Sequence, residues 1–525
     1  MEFSRTSGLL LHPTSLPGRF GIGDLGDAAY RWIDFLAETG QTLWQLLPLG
    51  FTGAASGNSP YQSLSAFAGS PLLISPERLV ARKLLAKADL DQVPQFPSQT
   101  VDYGRVSDWK TRLLHRSFEQ FKATPASGYP ADEERSAFQA FTVANAGWLD
   151  DFSLFMALKQ AHDGRPWNTW EPAIRARQAP AMKQWSVDLA GTIEEHQYLQ
   201  YLFFTQWSAV KDYANRHDIK IIGDAPIFVG YDSADVWANP DLFYLDADGS
   251  PLAGAGVPPD YFSKTGQLWG NPLYRWEAMA ERGYEWWIQR IRVLLTMVDI
   301  TRIDHFRGFE AYWSVPAGEA TAVNGHWIKG PGRDLFVAMK RTLGDLPIIA
   351  EDLGLITADV IALRDGMAFP GMKVLQFAFS GDPHNEYLPH NYSPHCVVYT
   401  GTHDNDTTVG WYAAAGKKER HFVHRYTGRD GSEIHWDLIR LAFGSTAHVA
   451  IVPLQDVLGL GSEARMNTPG QPGGNWEWRC AEDALTPAIR DRLNEVTEVF
   501  GRGLSPSETP PEHRRRHHVR THHIK

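Results

Sequence analysis

Cysteine is almost absent from this chain, and so are long apolar runs. Cys396 and Cys480 are the two cysteines among 525 residues, too few for a disulfide scaffold, so both are expected to be reduced thiols. The leucine run Leu9–Leu11 is shorter than the roughly 7–15 apolar residues of a signal peptide. No window approaches the ~18 apolar residues of a membrane helix. These absences predict a cytoplasmic protein without a membrane partner.

A surplus of basic charge is also missing. Lys and Arg number 50 against 61 Asp and Glu, which gives a net charge of −11 and argues against a nucleic-acid partner. The 20 histidines form no HExxH pair. The GxGxxG pattern at 21–26 is not followed by the acidic residue that a dinucleotide site needs at the end of the next strand. We therefore expect neither a metal ion nor a cofactor.

Aromatic residues, in contrast, are plentiful. The chain has 19 Trp, 18 Tyr and 26 Phe, and many of them stand beside Gly, Pro or Asn rather than in periodic apolar runs. Most must be core residues, but aromatic side chains in loops also form platforms for flat, weakly polar ligands such as sugars. The rest of the composition, with 43% hydrophobic and 21% charged residues, is ordinary for a globular protein.

Eight apolar runs alternate with helical patterns along the chain. Near-continuous apolar strands are typical of a parallel sheet that is covered on both faces. Eight of them predict an α/β fold, the (β/α)8 TIM barrel, with a doubly wound open sheet as the alternative. The runs lie at residues 8–12, 42–49, 219–229, 297–306, 346–353, 372–379, 396–404 and 448–456.

The spacing of these runs is uneven. About 170 residues separate the second run from the third, whereas loops of about 2–6 residues are usual, and further surplus residues follow the third run. We expect a barrel of residues 1–503 with inserted, largely helical subdomains on its carboxyl face, at about 52–200 and 230–285. Residues 504–525, rich in Arg and His, are expected to be a disordered basic tail.

Carboxylates stand at the ends of several predicted strands. The carboxyl ends of barrel strands surround one bowl, in which active sites lie. The alternative is that Asp and Glu end strands because they make turns and caps. Several converging carboxylates are costly, however, because like charges raise one another's pKa, and this favours a functional cluster. The residues are Asp224, Asp304, Glu351, Asp352, Asp404, Asp406 and Asp456.

Cleavage of a glycosidic bond with retention uses such a cluster. One carboxylate acts as the nucleophile, and a carboxylic acid protonates the leaving oxygen. Arg302 lies two residues before Asp304, hence on the same face of a strand, where its guanidinium would hold Asp304 ionised. His403, beside Asp404, could donate hydrogen bonds to sugar hydroxyls. The sequence thus predicts a nucleophile at Asp304.

Three of these strand ends resemble the catalytic motifs of the α-amylase clan: residues 301–306 (TRIDHF), 350–354 (AEDLG) and 402–406 (THDND). Further segments are similar to signatures of glycoside hydrolase family 77, the 4-α-glucanotransferases or amylomaltases. The resemblance covers about residues 5–500. These further segments are residues 58–62, 254–263, 267–274, 464–470 and 474–476.

The resemblance implies a role for each matching residue. Asp304 would be the nucleophile, Glu351 the general acid/base, and Asp404 the third carboxylate, which grips the ring hydroxyls. Tyr261, Phe262 and Trp269 would belong to an aromatic lid over the glucan. The implied substrate contacts are Arg302, His403, Asp224, Ser59, Tyr61, Tyr261, Phe262, Trp269 and Asn475.

The implied reaction moves a segment of an α-1,4-glucan, such as a maltodextrin or amylose, to the 4-hydroxyl of glucose or another maltodextrin. It would proceed through a covalent glucosyl ester on Asp304. Two alternatives stay open: an α-1,4-glucan hydrolase, in which water is the acceptor, and a glucan-binding protein without catalysis. The chain is expected to be a monomer or a homodimer.

Overall fold

The eight predicted apolar runs form the strands of one parallel sheet in a computed structural model, which describes residues 3–53, 56–123, 131–259, 263–471 and 473–503. Four further strands lie outside that sheet. In chain order the strands are Thr6–Leu10 (β1), Leu43–Gln45 (β2), Lys220–Pro226 (β3), Ala253–Val257 (β4), Gln267–Pro272 (β5), Ile300–Asp304 (β6), Ala311–Pro316 (β7), His326–Lys329 (β8), Ile348–Ala350 (β9), Gly371–Val374 (β10), Cys396–Tyr399 (β11) and Val449–Pro453 (β12).

The parallel sheet closes on itself. Its strand order is β10-β11-β12-β1-β2-β3-β6-β9, so β9 and β10 are the two edges. The Ala350 N–H donates to the Pro370 carbonyl at 2.9 Å, and the Met372 N–H donates to the Asp352 carboxylate at 2.7 Å. Both bonds cross the seam. The predicted (β/α)8 barrel is confirmed, and the open sheet is wrong.

Helices surround this barrel and fill the first insertion. The first helix coincides with the amphipathic pattern at 27–38, whose apolar stripe is buried. The helices are Asp27–Glu38 (α1), Pro76–Ala81 (α2), Tyr103–Ala123 (α3), Ala131–Ala161 (α4), Pro172–Arg175 (α5), Ala179–Asp188 (α6), Ala190–Arg216 (α7), Ala234–Ala238 (α8), Trp276–Glu281 (α9), Glu285–Met297 (α10), Gly332–Leu343 (α11), Ala358–Gly366 (α12), Thr408–Ala414 (α13), Lys417–Thr427 (α14), Ile434–Gly444 (α15), Leu454–Leu458 (α16) and Pro487–Val499 (α17).

A small antiparallel sheet was not foreseen from the sequence. The long segment between β2 and β3 is helical, from α2 to α7, as predicted. The segment after β3 instead contributes β4 and β5, which pair with the hairpin β7–β8 in the order β5-β4-β7-β8. That hairpin follows β6, where an ordinary strand-to-helix connection was expected. The insertion boundaries 52–200 and 230–285 stay a prediction, and residues 504–525 lie outside the described residues.

Side chains of the barrel strands fill both sides of the sheet. Ile222, Ile300, Ile349 and Val397 belong to a buried cluster inside the barrel, whereas their strand neighbours pack against the helices. This two-sided burial explains why the strands read as continuous apolar runs. Tyr61 packs on the inner cluster, so the barrel core forms the floor of the mouth. No helix within the described ranges has the length and apolarity to cross a membrane.

Two arginines, the half-buried Arg5 and the buried Arg502, hold the amino end of the barrel together. Arg5 donates to the carbonyls of Phe443, Ser445 and Phe500. Arg502 is fully buried and joins the start of β1 to the segment before β12 and the end of α15. Its guanidinium donates to the carbonyl oxygens of six residues, namely Thr6, Ala442, Phe443, Ser445, Ala447 and His448.

Replacing Arg502→Leu should destabilise the fold. Several buried carbonyls lose their donor, so the free energy of unfolding should fall by about 3 kcal/mol or more. Urea unfolding followed by tryptophan fluorescence measures this. The control is Arg492→Leu, which breaks a partly exposed pair with Glu433 at 2.6 Å and should cost less than about 1 kcal/mol. Equal losses in the two variants would refute the role given to Arg502.

Candidate active site

Neighbouring strands bring one arginine between two carboxylates at the mouth of the barrel. In the register of β3 and β6, Asp224 stands opposite Arg302, and Pro226 opposite Asp304. The Arg302 Nη1 donates to Asp224 Oδ2 at 2.6 Å, and Nη2 lies 3.0 Å from Asp304 Oδ1. The Arg302 and Asp224 side chains are buried, whereas that of Asp304 is 28% exposed. Asp304 is therefore open to a ligand, and Arg302 holds it from below.

Two backbone N–H groups fix the orientation of the Glu351 carboxylate. It follows β9, which pairs with β6, so it lies beside Asp304. His305 donates its N–H to Glu351 Oε2 at 2.6 Å, and Leu353 donates to Oε1 at 2.8 Å. His305 has φ 51° and ψ 48°, a left-handed conformation that non-glycine residues seldom adopt. This left-handed turn points the His305 N–H at the Glu351 carboxylate.

The electrostatics of the cluster depend on burial. Burial raises the pKa of Asp304 well above its usual range, Asp224, Glu351 and Asp404 add to the rise, and Arg302 opposes it. The pKa of Glu351 is also raised, mainly by burial, against the lowering effect of Arg302 and the two backbone N–H groups. The two carboxylates differ in their contacts: Asp304 has the short ion contact with Arg302, whereas Glu351 accepts the two backbone N–H groups.

Asp404 lies on the loop after β11. Its side chain is 45% exposed, and its Oδ1 lies 3.3 Å from His403 Nε2. Asn467 Nδ2 donates to the same oxygen at 2.6 Å. Burial lowers the pKa of His403, so at neutral pH its ring is neutral. Asp404 thus presents an ionisable group to the same bowl as Asp304.

Tyr61 connects three distant parts of the chain. Its hydroxyl donates to Asp224 Oδ2 at 2.8 Å. Its ring stacks on His403 with centroids 5.2 Å apart and planes 13° apart, and it also contacts Trp476 at 5.8 Å. Burial raises the pKa of the Tyr61 hydroxyl well above its usual value, so the hydroxyl remains a donor. The first insertion, β11 and the C-terminal segment therefore meet at one aromatic stack.

For the remaining predicted substrate contacts, the structure gives neighbours other than Asp304, Glu351 and Asp404. Trp269 stands edge-on against His305, at 4.8 Å between ring centroids, so it borders the turn after Asp304. The Ser59 hydroxyl accepts the Tyr61 N–H at 3.3 Å. The Asn475 amide is engaged within its own loop, by Thr468 and Gln471. Tyr261 and Phe262 lie outside the described residues.

Three strand-end carboxylates do not join the cluster. Asp352 accepts hydrogen bonds from Met372 and Arg364 across the barrel seam. Asp406 accepts from Ser462 and from the Thr407 N–H, and Asp456 accepts from Thr400 and Thr408. All three bind groups of the fold, but only Asp406 makes a local bond of the turn-and-cap kind; Asp352 and Asp456 bind groups that are distant in the chain. Their partners satisfy them without a ligand.

The described ranges contain no group of three or more His, Cys, Asp or Glu side chains placed to hold a metal ion. The groups that face the mouth are carboxylates, one guanidinium, a neutral imidazole and aromatic rings. Such a mixture can exchange protons, stabilise a positive centre and stack on a flat ring.

A barrel whose mouth carries paired carboxylates has the architecture of glycosidic-bond enzymes, and comparison with known proteins specifies the family. The sequence profile described as 4-alpha-glucanotransferase, of glycoside hydrolase family 77, matches residues 11–485. The chain belongs to this family.

Relatives and solved structures agree with that assignment. The chain is 52% identical to the 4-alpha-glucanotransferase of Synechocystis sp. over 504 residues, which cover 95% of this chain and 98% of the relative. It is 50% identical to that of Thermus thermophilus over 510 residues, covering 96% and 100%. The amylomaltase of Streptococcus agalactiae, solved in complex with acarbose, superposes with a TM-score of 0.91 at 39% identity, covering 95% and 100% of the two chains.

Replacing Asp224→Asn should lower the pKa of Asp304. Asp224 raises that pKa by charge repulsion and also competes with Asp304 for Arg302. Neutralising Asp224 removes both effects, and each removal lowers the Asp304 pKa. Asp304 should therefore ionise at lower pH. Titration of 13C-labelled aspartate by NMR, with the Asp304 signal assigned through Asp304→Asn, measures this. The exposed Asp365→Asn is the control and should leave the titration unchanged. An unchanged or higher Asp304 pKa in Asp224→Asn would contradict the electrostatic assignment.

Proposed function

We propose that this protein is a retaining 4-α-glucanotransferase that acts on α-1,4-glucans. The observation that carries the proposal is the contact of Arg302 with Asp304, 3.0 Å from guanidinium to carboxylate, beside the half-buried Glu351 in a barrel of family 77. A nucleophile held ionised next to an acid that keeps its proton is the pair that glycosyl transfer with retention requires.

In the first half of the reaction, Glu351 protonates the departing 4-oxygen while Asp304 attacks the anomeric carbon. The glycosidic bond breaks, and a covalent glucosyl ester forms on Asp304. Burial supports the proton on Glu351 by raising its pKa. The backbone bonds to its two oxygens do not prevent protonation, because each carboxyl oxygen has two acceptor positions. They fix the direction in which the acid points.

The remaining mouth residues would hold the ring that reacts. Asp404 grips the ring hydroxyls as positive charge develops, with His403 and Arg302 as flanking contacts. Asp224 has no exposed side-chain surface; joined to Tyr61 at 2.8 Å, it would act at the sugar site through Tyr61 and Arg302. The Tyr61 ring, supported by His403 and Trp476, offers an apolar face for stacking. Fixed groups of this kind stabilise the transition state without reorganising during the reaction.

In the second half, the 4-hydroxyl of glucose or of another maltodextrin attacks the ester, and Glu351 takes up its proton. Transfer then competes with attack by water. A bound acceptor has a high effective concentration and excludes water from the site. Trp269 borders the turn after Asp304, and we assign its ring to the wall that keeps water out of the site. Ser59 and Asn475 are proposed as further substrate contacts, and Tyr261 and Phe262 as parts of a covering loop.

Incubation with maltotriose separates the candidate functions. A glucanotransferase is expected to produce glucose together with longer maltodextrins, while the concentration of reducing ends stays constant. A hydrolase of the same clan raises the concentration of reducing ends, and a glucan-binding protein leaves maltotriose unchanged. Chromatography of the products with a reducing-end assay gives the answer. If one new reducing end appeared for each bond cleaved, the protein would be a hydrolase and the proposal would be wrong.

Asp304→Asn should abolish turnover and leave glucan binding intact. The amide cannot attack the anomeric carbon, so kcat should fall by roughly 10⁴-fold or more, while the shape of the side chain is kept. Activity on maltotriose and calorimetric binding of acarbose measure the two effects. Asp491→Asn, an exposed carboxylate in α17, is the matched control. Turnover near the unaltered rate in Asp304→Asn would remove Asp304 from its role.

A further inference from the structure

The loop from Thr400 to Thr408, which carries His403 and Asp404, is braced at both ends by one buried carboxylate. Asp456 in α16 is 1% exposed. Its Oδ2 accepts from the Thr400 hydroxyl at 2.5 Å and from the Thr408 hydroxyl at 2.7 Å, and its Oδ1 accepts the Thr408 N–H at 2.7 Å. These hydrogen bonds replace the hydration that the buried carboxyl group loses. These bonds tie the end of β11 to the start of α13.

The middle of the same loop is held by the segment 465–467. Arg465 Nη2 donates to the Asp404 carbonyl at 2.6 Å, and the Arg465 Nε donates to the Asn467 carbonyl at 2.7 Å. The Asn467 N–H donates to the His403 carbonyl at 3.1 Å. Two hydrogen bonds therefore fix the backbone of residues 403 and 404 to this segment, and the third, within the segment, holds the Arg465 side chain in place.

One further bond reaches the carboxylate itself. Asn467 Nδ2 donates to Asp404 Oδ1 at 2.6 Å, the oxygen that also faces His403 Nε2. Among the described residues, no hydrogen-bond donor contacts Asp404 Oδ2. Asn467 thus fixes the rotation of an otherwise half-exposed side chain and leaves one oxygen for a ligand. The carboxylate is oriented before any ligand binds.

We propose that Asn467 is a positioning residue for Asp404, with Asp456 bracing the loop that carries both His403 and Asp404. The inference rests on the proposed function, in which Asp404 grips the sugar ring as charge develops. A carboxylate that must meet ring hydroxyls in the transition state gains from a fixed orientation, since no reorganisation is then needed during the reaction. Asn467 acts through Asp404 and does not itself touch the substrate.

A double-mutant cycle on acarbose binding tests the proposal. Calorimetry compares the unaltered chain, Asn467→Ala, Asp404→Ala and the double variant. Asn467→Ala should weaken acarbose binding about tenfold, the value of a hydrogen bond to a charged group, and should lower kcat on maltotriose more than it raises KM. In the Asp404→Ala background the same substitution should have no further effect. Asn494→Ala, on the exposed face of α17, is the control and should bind acarbose normally.

The chemistry of the contact gives a second test. Asn467→Asp keeps the shape of the side chain but replaces the donor by a carboxylate that repels Asp404, so it should lose more activity than Asn467→Ala. Thermal unfolding verifies that each variant is folded. Equal losses of acarbose affinity with and without Asp404, or a smaller loss in Asn467→Asp than in Asn467→Ala, would overturn the proposal. If Asp404→Ala alone leaves acarbose binding unchanged, the role of Asp404 in the proposed function is wrong instead.

Discussion

The mouth of this barrel depends on one buried guanidinium. Arg302 projects from β6 between Asp224 of β3 and Asp304 of its own strand. Without it, adjacent carboxylates in a region of low dielectric would take up protons. Its positive charge opposes the rise in pKa that burial and the neighbouring carboxylates cause at Asp304, and it also opposes the rise at Glu351. The proposed assignment of nucleophile and acid rests on which carboxylate the arginine contacts.

The parts of the mouth come from widely separated segments, and the aromatic stack explains how they stay in register. Tyr61 arrives from the first insertion, His403 from the loop after β11, and Trp476 from the C-terminal segment. Each ring supports the next, and Tyr61 also donates to Asp224. Shape and charge at the mouth are therefore coupled, because displacing the stack would remove a hydrogen bond from the carboxylate beside Arg302.

Apolar periodicity was enough to predict the barrel, because each of the eight strands is buried on both faces. It failed for the hairpin β7–β8, which is short, with polar and Gly residues between its strands. Among the strand-end acids, position at the end of a strand did not separate Asp304 from Asp406 or Asp456; only Arg302, two residues before Asp304, marked it out. The three occupy the same kind of position, and their donors lie elsewhere in the chain. Asn467 was missed because its contact with Asp404 spans 63 residues.

The fastening of the amino end has a consequence for how the protein is made. β1 pairs with β12, and Arg502 binds the carbonyl of Thr6, 496 residues earlier. A ribosome releases the first strand long before its last partners exist. The β1 segment must therefore wait, with one edge unpaired, until almost the whole chain has emerged. During that interval the unpaired edge of β1 is open to chaperones.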